Sequence, residues 1–193
     1  MSFELTTLEK LYIENPSAPW NHGELSRNSN LTMRMLRSAP SKPWNWELIS
    51  SHPNLTPDFI IEYPDKSWDW VAISSRNFSI TDIIRLHSEI PTNRLDWLIL
   101  TNRFDLETIC DNKVLPWDIY EMTRCSTADQ ISANLDMEWD WGIVSTKDVS
   151  LDMIFNCSSK EWDYTALSRN ANLTSNFIRY NYDKPWDWSA ISQ

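Results

Sequence analysis

Carboxylates, hydroxyls and cations recur along this chain at spacings that invite a chemical reading first. An Asn or Asp follows each of eight marks, at Trp20, Trp44, Trp68, Leu95, Trp117, Trp139, Trp162 and Trp186, and a Ser or Thr stands six residues after each, from Ser26 to Ser192. The phrase is best read at Pro43-Trp44-Asn45-Trp46-Glu47-Leu48-Ile49-Ser50. A carboxylate there could act as a general acid or base, and a hydroxyl as a nucleophile. Recurrence in every unit argues instead for structural work. A first-turn carboxylate facing the helix dipole or bonded to the adjacent repeat, and a hydroxyl satisfying helix-end backbone groups, account for both.

Other chemistries fare no better. His22, His52 and His87 fall at unrelated points of the repeat, and Cys110, Cys125 and Cys157 form no C-x-x-C pair, so neither a metal site nor a disulfide framework is indicated. Only two Gly occur, which excludes a P-loop and a dinucleotide fingerprint. The chain reads as a non-enzyme without a cofactor, and its unpaired thiols suit a reducing compartment. What remains is one basic residue just after seven of the eight hydroxyls: Arg27, His52, Arg76, Arg103, Arg124, Lys147 and Arg169. Stacked repeats would align these as a ladder able to hold an acidic protein segment or a phosphate chain. Pairing with Asp or Asn side chains or with helix C-terminal carbonyls is the structural alternative. A net charge of -10 disfavours a general nucleic-acid or anionic-membrane binder.

The elements that would position these residues are short helices. A second phrase, clearest at Asn54-Leu55-Thr56-Pro57-Asp58-Phe59-Ile60, opens on an N-cap candidate: Thr7, Thr32, Thr56, Ser79, Asp105, Thr127, Ser150 or Thr174. Four residues after each comes an apolar one: Leu11, Leu36, Ile60, Ile83, Ile109, Ile131, Ile154 or Ile178. This spacing predicts a first helix, A. A second helix, B, of eight or nine residues is expected to start just before each mark. Its caps would be Ser17, Ser41, Asp65, Thr92, Asp136, Ser159 and Asp183, with Pro19, Pro43, Pro116 and Pro185 in its first turn. The residue five after each mark is always apolar, and the residue two after it is a Trp or Tyr in six repeats of eight. Helix B is then apolar on two sides and must be sandwiched. The distance from cap to mark is 12 residues in six repeats, 13 in the first and 16 in the fourth, where a longer helix or loop is needed. Residues 1–193 thus read as one all-α array: an α-solenoid of about eight helix-turn-helix repeats with a period near 24 and no internal boundary. No apolar run spans a bilayer and residues 1–10 lack a signal peptide's apolar stretch, so a soluble intracellular protein is expected.

The phrases Asp183-Lys184-Pro185-Trp186-Asp187-Trp188 and Pro53-Asn54-Leu55-Thr56-Pro57-Asp58-Phe59-Ile60 resemble the tandem Trp-Asp-Trp repeats of proteins from giant DNA viruses that infect amoebae. The resemblance covers nearly the whole chain, with Leu95 and Ile119 departing from the pattern. It implies a viral origin and a repeat scaffold in the host cytoplasm or the virion, and assigns no biochemical role. A scaffold mediating protein–protein interaction or assembly is the expected function, with polyanion binding along the basic ladder as the alternative. Trp186, Trp188 and Ile191 of the last repeat are expected either to form an exposed end face covered by a second copy or another protein, or to fold their Trp side chains back onto helix A of the same repeat.

Overall fold

The computed structural model describes residues 7–192, which form sixteen helices and no strand. The chain divides into two compact units, Met1–Ile99 and Leu100–Gln193. The first holds α1 (Thr7–Glu14), α2 (His22–Leu25), α3 (Met33–Ser38), α4 (Trp46–Ser50), α5 (Pro57–Glu62), α6 (Trp70–Ser74) and α7 (Ile80–Glu89), and the boundary falls inside α8 (Trp97–Arg103). The second continues with α9 (Leu106–Asp111), α10 (Ile119–Cys125), α11 (Ala128–Ala133), α12 (Trp141–Val144), α13 (Leu151–Asn156), α14 (Tyr164–Leu167), α15 (Ser175–Tyr180) and α16 (Trp188–Ile191). Odd-numbered helices correspond to the predicted helix A, even-numbered ones to helix B. Like packs on like: α1 on α3, α5 on α7 and α4 on α6 in the first unit, and α10 on α12 in the second.

Seven of the eight predicted A caps do that work. The side chains of Thr32, Thr56, Ser79, Asp105, Thr127, Ser150 and Thr174 each accept the backbone N–H three residues on, and Ser79 and Thr127 complete reciprocal capping boxes. Thr7 differs, being the first residue of α1 itself. Counting twelve residues back from Trp20, as in most repeats, aligns Leu8 with the other caps and Tyr12 with the buried fourth residue. Tyr12 is 2% exposed and Leu11 48%, so the alignment on Thr7 was one residue out of register.

The odd spacing of the fourth repeat is a longer helix. α7 has ten residues where the other A helices after α1 have six, and four extra residues are close to one turn of about 3.6. The added turn keeps its face, and Ile83, Leu86 and Ile90 are all buried.

Helix B starts later than its sequence suggested. All eight B helices begin two residues after the mark, α2 at His22 included, and none reaches eight residues. The marks themselves lie in the turn ahead. In that turn the Trp N–H donates to the carbonyl two residues back, as in Trp44 to Lys42 and Trp186 to Lys184, both at 2.8 Å. The residue between is the centre of a three-residue turn. Pro43 and Pro185 fit there because the turn needs a φ near that of proline and no N–H from its central residue.

Almost no glycine is needed because no described residue has a positive φ. Helix A leaves through residues such as Ala39 (φ -149, ψ 59) and Asn181 (φ -118, ψ 33). Each exit carbonyl is then met by the indole N–H of the following mark: Trp20 to Asn15, Trp44 to Ala39, Trp68 to Tyr63, Trp117 to Asn112, Trp139 to Asn134, Trp162 to Cys157 and Trp186 to Asn181, at 2.7 to 2.9 Å. Leu95 has no such donor. There Asn93 substitutes, its Nδ2 donating to Ile90 O at 2.6 Å and His87 O at 3.3 Å.

Candidate functional site

The recurring Asn or Asp is the N-cap of helix B. Its Oδ1 accepts a first-turn N–H in all eight repeats, from Asn21 and Asn45 to Asp163 and Asp187. Only that acceptor oxygen is required, which is why Asn and Asp interchange. The caps predicted three residues before each mark, Ser17, Ser41, Asp65, Thr92, Asp136, Ser159 and Asp183, do not cap helix B.

The same residue's backbone N–H points the other way, to the hydroxyl of the preceding repeat. Asn45, Asp69 and Asp96 donate to Ser26, Ser50 and Ser74 in the first unit; Asp118, Asp140, Asp163 and Asp187 donate to Thr101, Thr123, Ser145 and Ser168 in the second, all at 2.8 to 3.0 Å. Ser26, Ser50, Ser74, Thr123, Ser145 and Ser168 also donate to the carbonyl four residues back, at 2.7 to 2.9 Å. All seven are buried. A buried group that must donate and accept at once can be Ser or Thr, whereas Ala offers neither bond. The hydroxyl therefore satisfies its own helix end, as expected, and also joins adjacent repeats. The carboxylate or amide gives its Oδ1 to the cap.

The basic ladder is engaged internally. His52 Nε2 lies 3.0 Å from Asn28 O while its Nδ1 accepts Asn54 N–H, which fixes the Nε2–H tautomer. Arg76 donates to the carbonyls of Ser50, Pro53 and Leu55 and lies over the Phe78 ring; burial lowers the pKa of its guanidinium. Lys147 donates to Arg124 O, and Arg103 sits 4.4 Å from the Phe104 ring centre. The remaining three meet carboxylates: Arg27 with Glu24, Arg124 with Glu121, and Arg169 with Asp187. Glu121 is drawn down to about 2, first by its Arg124 hydrogen bonds. Asn side chains join this lacing, with Asn54 donating to Leu31 O and Asn172 to Val149 O.

At the last repeat, Trp186 is buried beneath its own turn, Ile191 is half-buried, and Trp188 is 47% exposed, its ring 5.5 Å from that of the exposed Tyr182. Of the three residues expected on an end face, Trp188 alone is exposed.

His22 was not recognisable as part of the aromatic series, yet its ring occupies that place, edge-on to Trp44 at 4.8 Å with Tyr12 Oη 3.1 Å from Nε2. Burial, then the Lys42 ammonium, lower its pKa below 6.5, against a hydrogen bond to the Trp20 backbone. A folded-state pKa below the unfolded value means the neutral ring's contribution is complete above pH 6.5 and is lost as pH falls toward the folded-state pKa. The stability gap between the parent and His22→Phe should shift against the parent below that pH; a gap independent of pH would contradict the assignment.

Among the described residues no group of three or more His, Cys, Asp and Glu is placed to hold a metal ion, and no helix is long and apolar enough to cross a membrane. No family model, curated protein or solved structure matches the chain.

Proposed function

We propose that the chain is an α-solenoid of eight helix-turn-helix repeats acting as a non-enzymatic scaffold for protein–protein interaction or assembly, of viral origin. The observation that carries the reading is the series of seven hydroxyl-to-backbone bonds, each joining residues 17 to 22 apart. It supports a stack in which each repeat is fastened to its neighbour. The hydroxyls of the Trp phrase are used in that fastening, and its carboxylates cap helix B. Viral origin rests on the resemblance of the Trp-Asp-Trp phrases.

Binding along the basic ladder is the competing reading, and cations already donating to carbonyls and carboxylates count against it. Titration with single-stranded nucleic acid at increasing salt separates the two. The scaffold reading expects no measurable binding at physiological salt. Binding whose logarithm falls steeply with the logarithm of salt concentration would replace it with the polyanion reading. Assembly through the exposed Trp188 ring belongs to the same proposal. Sedimentation over a wide concentration range should show self-association in the parent and less in Trp188→Glu; identical monomeric behaviour would remove that part.

A further inference from the structure

Seven of the eight positions two residues after each mark carry a ring; the eighth is Ile119. The ring stands edge-on to the Trp of the next repeat in His22–Trp44, Trp46–Trp68, Trp141–Trp162 and Tyr164–Trp186, with centroids 4.8 to 5.3 Å apart. In three of these a lysine two residues before that Trp lies over the ring: Lys66 over Trp46, Lys160 over Trp141 and Lys184 over Tyr164. At Ile119 both halves of the arrangement change together. An aliphatic side chain replaces the ring, and Met137 replaces the lysine.

Beside Ile119 lies a cleft of about 260 Å³ lined by Ile119, Met122, Leu115, Trp117 and Met137, with the Lys113–Asp136 ion pair, 2.7 Å long, and Glu138 at its rim. Pockets for drug-sized ligands run to roughly 300–1,000 Å³, so this space suits one ring and little more. Two methionines in its lining give it adaptable walls with sulfurs that contact aromatic rings favourably.

We propose that the cleft at Ile119 receives a single aromatic side chain carried by a partner protein, supplying in trans the ring that the other repeats supply themselves. Glu138 and the net charge of -10 favour a segment with Lys or Arg beside the aromatic residue. The source of the ring rests on the scaffold reading; the cleft's affinity for a ring does not.

Methyl-labelled methionine NMR tests the two separately, using free indole and the tripeptides Lys-Trp-Lys and Lys-Ala-Lys as probes. Saturable shifts are expected at the Met122 and Met137 methyls with indole, and at about tenfold lower concentration with Lys-Trp-Lys, since the two flanking cations add favourable charge contacts. Lys-Ala-Lys should give none. Ile119→Trp should keep a dispersed methyl spectrum and lose both responses. If that variant fails to fold, Met137→Lys, which restores the lysine of the third, seventh and eighth repeats, should weaken indole binding instead. Absence of saturable shifts, or unchanged shifts in the folded variant, overturns the cleft. Equal affinity for indole and Lys-Trp-Lys makes it a small-molecule aromatic site and overturns the partner assignment, leaving the scaffold reading to its own test.

Discussion

Replacing Trp68 by Ala should destabilise the protein by about 3–5 kcal/mol, read as a lowered midpoint of denaturant unfolding. The side chain is 7% exposed, edge-on to Trp46 at 5.3 Å and to Phe59 at 6.3 Å, so truncation leaves a void between helices already packed on both sides. It also removes the indole bond to Tyr63 O, one of two that carbonyl accepts, the other coming from Lys66 N–H. Trp68→Phe separates these contributions. It keeps most of the apolar volume and loses the bond, so a smaller cost of about 0.5–1.5 kcal/mol is expected. Trp186→Ala should cost less than Trp68→Ala, because α15 and α16 contribute no buried residue and the void can relax. Equal shifts at Trp68 and Trp186 would show that burial of the ring alone, and not its surroundings, sets the cost.

Ser50→Ala should cost about 1–3 kcal/mol, a large effect for the loss of one oxygen. Ser50 Oγ accepts Asp69 N–H at 2.9 Å and donates to Trp46 O at 2.9 Å, with the residue fully buried. The alanine variant leaves Asp69 N–H without that acceptor at the joint between two repeats. Ser50→Thr should be close to neutral, since Thr101 and Thr123 accept the corresponding N–H groups at the same distance, 3.0 Å. Equal loss in the two variants would mean that volume rather than the hydroxyl matters at this site. Because Asp69 also caps α6, Ser50→Ala should combine non-additively with Asp69→Ala.

Much of this arrangement was legible beforehand. Cap residues act over three positions of local chain, so Thr32, Thr56, Ser79, Asp105, Thr127, Ser150 and Thr174 could be placed from spacing alone. The buried positions four residues later followed from helical geometry, and all but the half-buried Ile178 lie in the core. The first repeat escaped because a single extra residue before Trp20 shifted the alignment from Tyr12 to Leu11. Helix B was placed too early because Ser, Asp and Pro ahead of each mark serve a turn as readily as a helix start. The basic ladder was visible as a periodicity, but its direction was not.

The sequence by itself determined the helical class, the two alternating phrases and the places where they change, because caps, turn residues and apolar spacing act within a few residues of chain. Tertiary structure alone decided what the conserved-looking chemistry is for. A hydroxyl's second bond, an indole N–H reaching a helix exit, an arginine donating to carbonyls some twenty residues back and a cleft opening beside Ile119 all depend on partners brought close by packing. A donor's type can be read from its residue name. Its acceptor is fixed only when the buried polar groups of neighbouring repeats have satisfied one another.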